Sequence, residues 1–321
     1  MRAAYIARFD AEQPASVIEV GERPEPEPVD DWTVIEVRAA SLNHHDLFSA
    51  RGVALKEDRL PMILGGDAAG LDADGNEVIV HSVITDSRWR GPELLDPALS
   101  LLSERHQGTL AQRVAVPLAN VLPKPSQLSF EQAACLPTAW LTAYRMLFTQ
   151  AALRPGDTVL VQGSSGGLST ALIALGSAAG LRVWVTGRSE EKRGFATAQG
   201  AEETFELGTR LPERVDAVMD SVGGASWKHS LRSLRKGGVM VVSGGTGGYS
   251  AEADVARIFA LQLRILGSSM GTREELERLI AFVVKTGLRP AIDTVLGLDH
   301  APEAFAKLAA GEVRGKLVLT P

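Results

Sequence analysis

The chain has 321 residues, 45% of them hydrophobic and 22% charged, with a formal net charge of -6 and a single cysteine. Its length allows two domains with sizeable cores, and its acidic balance gives no reason to expect nucleic acid or an anionic membrane as a partner. Lone Cys135 excludes an internal disulfide and a multi-cysteine zinc lobe; charges at Arg2, Arg8 and Asp10 argue against a signal-peptide core, no apolar run reaches membrane-spanning length, and a cytoplasmic protein is expected.

The first 120 residues read as β-rich. Short alternating or apolar runs predict strands at Ala3–Ala7, Ser16–Val20 and Thr33–Ala39. Pro24–Pro28, PEPEP, predicts an extended connector. Ser41-Leu42-Asn43-His44-His45-Asp46-Leu47 predicts a turn or short helix that gathers polar groups. Leu60–Leu64 leads into the glycine-rich bend Gly65-Gly66-Asp67-Ala68-Ala69-Gly70, and Asp72-Ala73-Asp74-Gly75-Asn76 predicts a hairpin turn before a strand at Glu77–Ser82. Thr85–Gln107 is irregular, with Trp89, Gly91, Pro92 and Pro97, as a lid or an insertion would be. Gly108–Pro117 returns to strand.

From Pro123 the character changes. Ser129–Leu136 and Ala139–Gln150 predict helices. Val159-Leu160-Val161 then reads as a buried strand, followed by the turn Gly163-Ser164-Ser165-Gly166-Gly167-Leu168, a helix to about Ala179, and a second strand at Arg182–Val185. This order sets backbone N–H groups and the positive end of a helix beside a pyrophosphate. The spacing Gly163, Gly166, Ser169 keeps the dinucleotide fingerprint, with a small serine as the last member. Past the second strand the chain reads Thr186-Gly187-Arg188-Ser189, with Lys192 and Arg193 beyond. No acid stands at the strand tip to receive a free ribose, whereas a guanidinium and hydroxyls suit a 2′-phosphate, so NADPH is expected over NADH. Further strands are predicted near Glu203–Phe205, Asp216–Asp220, Gly238–Ser243 and Leu263–Leu266, then an amphipathic helix at Glu274–Thr286. The chain closes with a strand at Asp293–Leu296, a helix at Ala301–Ala310 and the apolar run after Gly315. Repeated β-α alternation means a doubly wound parallel sheet.

Four segments carry a family resemblance: SLNHHDL, LGGDAAG, VQGSSGGLS and GKLVLT. With RILGSSMG at Arg264–Gly271 and KTGLRPAID at Lys285–Asp293, the chain resembles medium-chain dehydrogenases/reductases of the zinc-type alcohol-dehydrogenase-like branch. The resemblance implies an α/β protein in two domains: a GroES-like, β-rich catalytic domain from residues 1–122 and 288–321, and a Rossmann cofactor domain over 123–287. Zinc alcohol dehydrogenases place a Cys where this chain has Asn43, a His-Glu pair at Gly66-Asp67, and a Cys near Thr138. Those ligands are gone, so no metal is expected.

Without zinc, the resemblance points to the quinone-oxidoreductase-like branch: hydride transfer from NADPH to a quinone or an α,β-unsaturated carbonyl. Two other readings stay open: an alcohol or carbonyl dehydrogenase with a non-standard metal site, and a non-catalytic NADPH-binding protein. By resemblance, Asn43 donates to the substrate carbonyl or holds the nicotinamide ribose, and Asp46 fixes the local loop. His44 and His45 are candidate proton donors or structural hydrogen-bonding residues. Thr138 and Thr142 are expected close to nicotinamide or substrate. Asp220 and Ser221 are placed on the adenosine side; Gly244, Gly245, Thr246, Ser268, Ser269 and Met270 on the nicotinamide side. Lys316 reaches the cofactor, caps the cleft or is a surface lysine. The apolar strand at Arg264–Leu266 is a candidate sheet edge for a homodimer.

Overall fold

A computed structural model describes residues 1–321. The N-terminal stretch forms β1 (Arg2–Ile6), β2 (Glu19–Glu22), β3 (Trp32–Ser41), α1 (His44–Ala50), β4 (Met62–Ile63), β5 (Asp67–Leu71), β6 (Glu77–Val80), β7 (Val83–Ile84), β8 (Ser100–Leu101), β9 (Arg113–Pro117) and β10 (Val121–Pro123). Helices α2 (Phe130–Ala134) and α3 (Leu141–Tyr144) follow, with wide π-type turns at Leu136–Trp140 and Arg145–Gln150. Then come β11 (Thr158–Gln162), α4 (Gly167–Ala178), β12 (Arg182–Gly187), α5 (Glu190–Ala198), β13 (Glu203–Glu206), β14 (Val215–Asp220), α6 (Gly224–Ser233), β15 (Leu234–Val242), α7 (Val255–Ala260) and β16 (Arg264–Gly267). The C-terminal part adds α8 (Arg273–Thr286), β17 (Ile292–Gly297), α9 (Ala301–Ala309) and β18 (Lys316–Thr320). No helix is long and apolar enough to cross a membrane.

The chain packs as two units, Met1–Ala139 with Gly271–Pro321, and Trp140–Met270. The sequence boundaries at 122/123 and 287/288 therefore leave α2 and α8 on the other side of the divide. The reason is packing: α2 lies on β3 and β5, and the first residue of α8, Arg273, donates its N–H to Glu93 Oε2 at 2.9 Å. A second difference concerns Ser16–Val20. Pro14 opens a 3₁₀ turn over Pro14–Val17 instead, and the strand starts later, at Glu19.

In the first unit, a seven-stranded sheet runs in the order β10-β6-β5-β3-β18-β17, with β9 also paired to β3. Long β3 is its pivot: β9 pairs with its first half, β18 with its end, and β5 along its other edge. A core that includes Ile35, Leu47, Leu64, Val80, Phe305 and Leu319 fills this unit.

The second unit is a six-stranded parallel sheet, β13-β12-β11-β14-β15-β16. Every residue of β11 is buried, as a central strand covered on both faces requires. Right-handed crossovers put α4 and α5 on one face and α6 and α7 on the other. On the α6 and α7 face, Leu160, Trp184, Val218 and Met240 pack against Leu231 and Leu234, and Leu211 reaches in from the segment between β13 and β14.

Candidate functional site

In the first unit, strand register assembles a buried polar cluster. Ser41 at the end of β3 pairs with Asp67 at the start of β5 and with Val318 of β18. This brings Lys316, at the head of β18, under the N-terminus of α1. The Lys316 ammonium donates to Leu42 O at 2.7 Å and Asn43 Oδ1 at 2.6 Å, and lies 3.4 Å from Asp67 Oδ2. Asn43 Nδ2 and Ser41 Oγ each donate to the same Asp67 oxygen at 2.8 Å. Lys316 is 2% exposed and Asp67 fully buried; Asp67 Oδ1 has no partner. The cluster shows Lys316 engaged inside the first unit. It also shows the Asn43 side chain held at both ends, by Lys316 and by Asp67.

Asp46 ties α1 to the glycine bend. Its two oxygens accept from Asn43 N at 2.8 Å and Gly65 N at 3.1 Å. Burial pushes its carboxyl up to about 6, against the opposing pull of the His45 charge and the Asn43 N–H. His45 Nε2 lies 3.0 Å from Glu104 Oε1. Burial alone would lower the His45 pKa, but the Glu104 hydrogen bond and the Asp46, Glu104 and Asp67 charges outweigh it and hold it above the ordinary value. His44 is exposed as a residue and has no hydrogen-bond partner. Surrounding protein and the positive charges of Lys316 and Arg51 push its pKa down. Thr138 is half-buried, and its hydroxyl makes no hydrogen bond. A side chain built at Gly66 would meet Ser82 Oγ at 3.4 Å and Thr138 Oγ1 at 3.8 Å, so these residues border one small space. Burial drives the nearby Cys135 thiol up to about 12, which leaves it inert.

In the second unit, the turn after β11 has the shape its glycines require. Gly163 has φ +94°, and a Cβ there would lie 3.1 Å from Ser169 Oγ, so the serine in the third fingerprint position packs against the first. Gly166 is the N-cap of α4, with no side-chain cap and open space where a Cβ would project. The first-turn N–H groups of a 12-residue helix thus face an open position with no acid beside them, which fits a diphosphate. Ser164 and Ser165 are buried at the turn, and Leu168 lies in the first turn of α4. Thr186 Oγ1 donates to Gln162 Oε1 at 2.6 Å and bridges to Gly163 N at 3.4 Å, joining the ends of β11 and β12.

Gly187 is needed for a close approach: a Cβ there would fall 2.7 Å from Ser164 Oγ. Arg188 is exposed and has no ion pair or hydrogen bond, whereas Ser189 caps α5 by accepting from Lys192 N. Arg193 is turned inward, donating to Gly187 O at 3.1 Å with Glu206 3.6 Å away. Along the same end of the sheet, Thr246 N donates to Ser221 O at 3.3 Å and Gly244 sits against Ser221. Gly245 is buried beside Tyr249. Ser268 N donates to Val242 O just beyond β16, followed by Ser269 and by Met270 at φ +54°. Thr142 is buried within α3.

Sequence reasoning placed Asp220 on the adenosine side. Its carboxylate is fully buried and instead accepts from Val222 N, Gly223 N, Ser226 Oγ and Ser230 Oγ, at 2.6–2.9 Å, holding the entry to α6. It is a structural brace, because four local donors already satisfy it. Ser41 falls in the stretch expected to gather polar groups, but the sequence assigns neither it nor Asp67 a role at the site; strand register gives them one.

The residues at the zinc-ligand positions do not fit a divalent ion. No group of three or more His, Cys, Asp or Glu converges. The donors present are one carboxylate, an amide and a hydroxyl, and an ammonium already lies among them.

A family model described as "Zinc-binding dehydrogenase" matches residues 196–319. The zinc-type alcohol dehydrogenase-like protein YogA of Leptosphaeria maculans is 30% identical, over 92% of this chain and 92% of that protein. The quinone oxidoreductase of Mus musculus is 27% identical, over 92% and 90%. A crystal structure described as an NAD-dependent alcohol dehydrogenase superposes over 100% of both chains at a TM-score of 0.92 and 32% identity. The chain belongs to the zinc-binding dehydrogenase family of the medium-chain dehydrogenase/reductase superfamily, and it is an oxidoreductase of that class.

Proposed function

We propose that the protein is an NADPH-dependent reductase that passes hydride to a quinone or an α,β-unsaturated carbonyl without zinc. The observation that carries this reading is the Lys316 ammonium lodged against Leu42 O, Asn43 Oδ1 and Asp67 Oδ2. A fixed ammonium offers no exchangeable coordination position at which an alcohol could bind and lose its proton. Reduction of an electron-poor carbon has no such requirement; it needs donors for the oxygen that receives the electron pair.

The cofactor, when bound, supplies the hydride. In this reading the turn Gly163–Leu168 and the α4 N-terminus hold the diphosphate, and Arg188, Ser189 and Lys192 take the 2′-phosphate. Thr186 and Gly187 shape the approach; Ser221 lies on the adenosine side; and Thr142, Gly244, Gly245, Thr246 and Ser268 to Met270 lie on the nicotinamide side. Asn43, Asp46 and Lys316 are positioning residues, because their polar atoms are already engaged with protein. Thr138 and His44, which have no protein partner, supply the hydrogen bond or proton to the substrate oxygen. His45 orders the loop that carries Glu104. We also assign a homodimer joined along β16, the edge strand of the parallel sheet.

The NAD-dependent description of the 32%-identical structure favours a second reading, alcohol oxidation with NAD⁺. The test is turnover with NADPH and NADH on a simple quinone, an unsaturated ketone and a primary alcohol, with metal analysis of the same sample. The proposal expects NADPH consumption on the first two, none on the alcohol, and about a 10- to 100-fold loss of NADPH affinity in Arg188→Ala. Metal-dependent alcohol oxidation with NAD⁺ would establish the second reading. Cofactor binding without turnover on any acceptor would leave a non-catalytic nucleotide-binding protein.

A further inference from the structure

The second unit has a cationic pocket away from the glycine turn. It is an open depression of about 470 Å³ on the α6 and α7 face, with Arg210, Leu211, Arg214, His229, Arg232 and Arg257 in its lining. The volume is that of a small-molecule site.

Four guanidiniums meet here in a chain whose net charge is -6. Arg210, Arg214 and Arg232 have no ion pair and no hydrogen bond, and all three are exposed. Arg257 Nε is buried without a hydrogen-bond partner, 3.6 Å from Asp254 Oδ2. The one acid in its lining, Glu213, is paired with Arg182 Nη1 at 2.8 Å. The walls are fixed. His229 and Arg232 stand three residues apart on α6, hence on one face. The His229 ring lies 2.8 Å from Thr209 O through Nε2 and 2.9 Å from Gln162 Nε2 through Nδ1, so it pins the arginine-bearing segment to the helix. Buried Leu211 anchors the same segment in the core. The glycine turn opens onto α4, on the opposite face of the sheet.

We propose that this pocket is a second anion site, taking a small molecule that carries two or more phosphate groups. Guanidinium forks match phosphate oxygens in pairs, and three guanidiniums without an ion pair, with Arg257 beside them, call for a multiply charged anion. A concave, small-molecule-sized shape favours such a ligand over the extended surface of a nucleic acid or an acidic protein.

The probe is inorganic pyrophosphate, titrated calorimetrically into wild type, Arg210→Ala/Arg232→Ala, and Gly166→Asp. The last variant puts a carboxylate at the α4 N-terminus and so closes the dinucleotide turn to phosphate. The expected result is one pyrophosphate per chain in wild type, affinity lower by about 100-fold in the double arginine variant, and little change in Gly166→Asp. Both arginines are exposed and unpartnered, so their loss leaves the fold intact, checked by thermal unfolding. Loss of binding in Gly166→Asp instead would place pyrophosphate at the cofactor turn and overturn the proposal. So would no binding at all, an unchanged double variant, or heparin binding through these arginines without pyrophosphate binding. None of these outcomes depends on which cofactor or substrate the enzyme uses.

Discussion

The ammonium of Lys316 rests 2.6 Å from Asn43 Oδ1, across 273 residues of chain. The contact exists because β18 pairs with the end of β3, Val318 opposite Ser41. It completes a closed set in which Ser41, Asn43 and Lys316 all satisfy one oxygen of buried Asp67. Removing the ammonium leaves that carboxylate buried without a countercharge. Lys316→Met is therefore expected to lose about 3–5 kcal/mol in urea unfolding. Lys316→Met/Asp67→Asn should recover part of the loss, because the orphaned charge goes with it. Strict additivity of the two single variants would show that the pair does not act as a unit.

Asp46 makes the fold pH-dependent in a direction opposite to most carboxylates. Its folded pKa of about 6 lies above the ordinary 3.8, chiefly through burial. Between these values the folded state binds the extra proton. The stabilisation is complete below pH 3.8 and is lost as pH rises through about 6. The swing amounts to about 3 kcal/mol. Asp46→Asn removes the titration, so its stability deficit relative to wild type should be largest near pH 4 and shrink towards pH 7.5. Denaturant unfolding of both proteins across that range checks this, and a constant difference would reject the assignment.

Much of the second unit could be read from local pattern. The glycine turn, the serine at its third position and the strand tip without an acid all lie within one β-α-β stretch, where spacing along the chain is also spacing in space. Asn43, His44, His45 and Asp46 were legible as a polar knot for the same reason. The destination of Lys316 was not, because it is set by strand register between opposite ends of the sequence, and no local period encodes that. Asp220 misled for a related reason. A carboxylate at a strand tip beside a nucleotide fold reads as a ligand contact, but Ser226 and Ser230, six and ten residues on, turn back along α6 to satisfy it. That α2 and α8 pack with the first unit is not legible locally, because a helical pattern shows that a segment packs without showing against what.

Gly187 links the second strand of the parallel sheet to the glycine turn. A Cβ there would lie 2.7 Å from Ser164 Oγ and 2.8 Å from Arg193 Cγ. Both neighbours are held: Ser164 is buried in the turn, and Arg193 donates to Gly187 O. Gly187→Ala must push the turn away from the strand, at a cost of about 1–3 kcal/mol. NADPH titration by fluorescence should show affinity lower by about tenfold or more. A dissociation constant within twofold of wild type would mean that the turn can shift without touching the cofactor site.

Gly166 allows a test in which stability and binding move apart. It is the N-cap of α4, its φ of -74° and ψ of 167° suit any N-cap residue, and open space lies where a side chain would project. In Gly166→Asp the carboxylate accepts from first-turn N–H groups and meets the positive end of the helix dipole. Stability should hold or rise by up to about 1 kcal/mol. The same carboxylate stands where a diphosphate would bind, repelling it and occupying its donors. NADPH affinity should fall by about 100-fold or more while the thermal midpoint is kept. A variant that is as stable as wild type and still binds NADPH normally would remove the α4 N-terminus from the cofactor site.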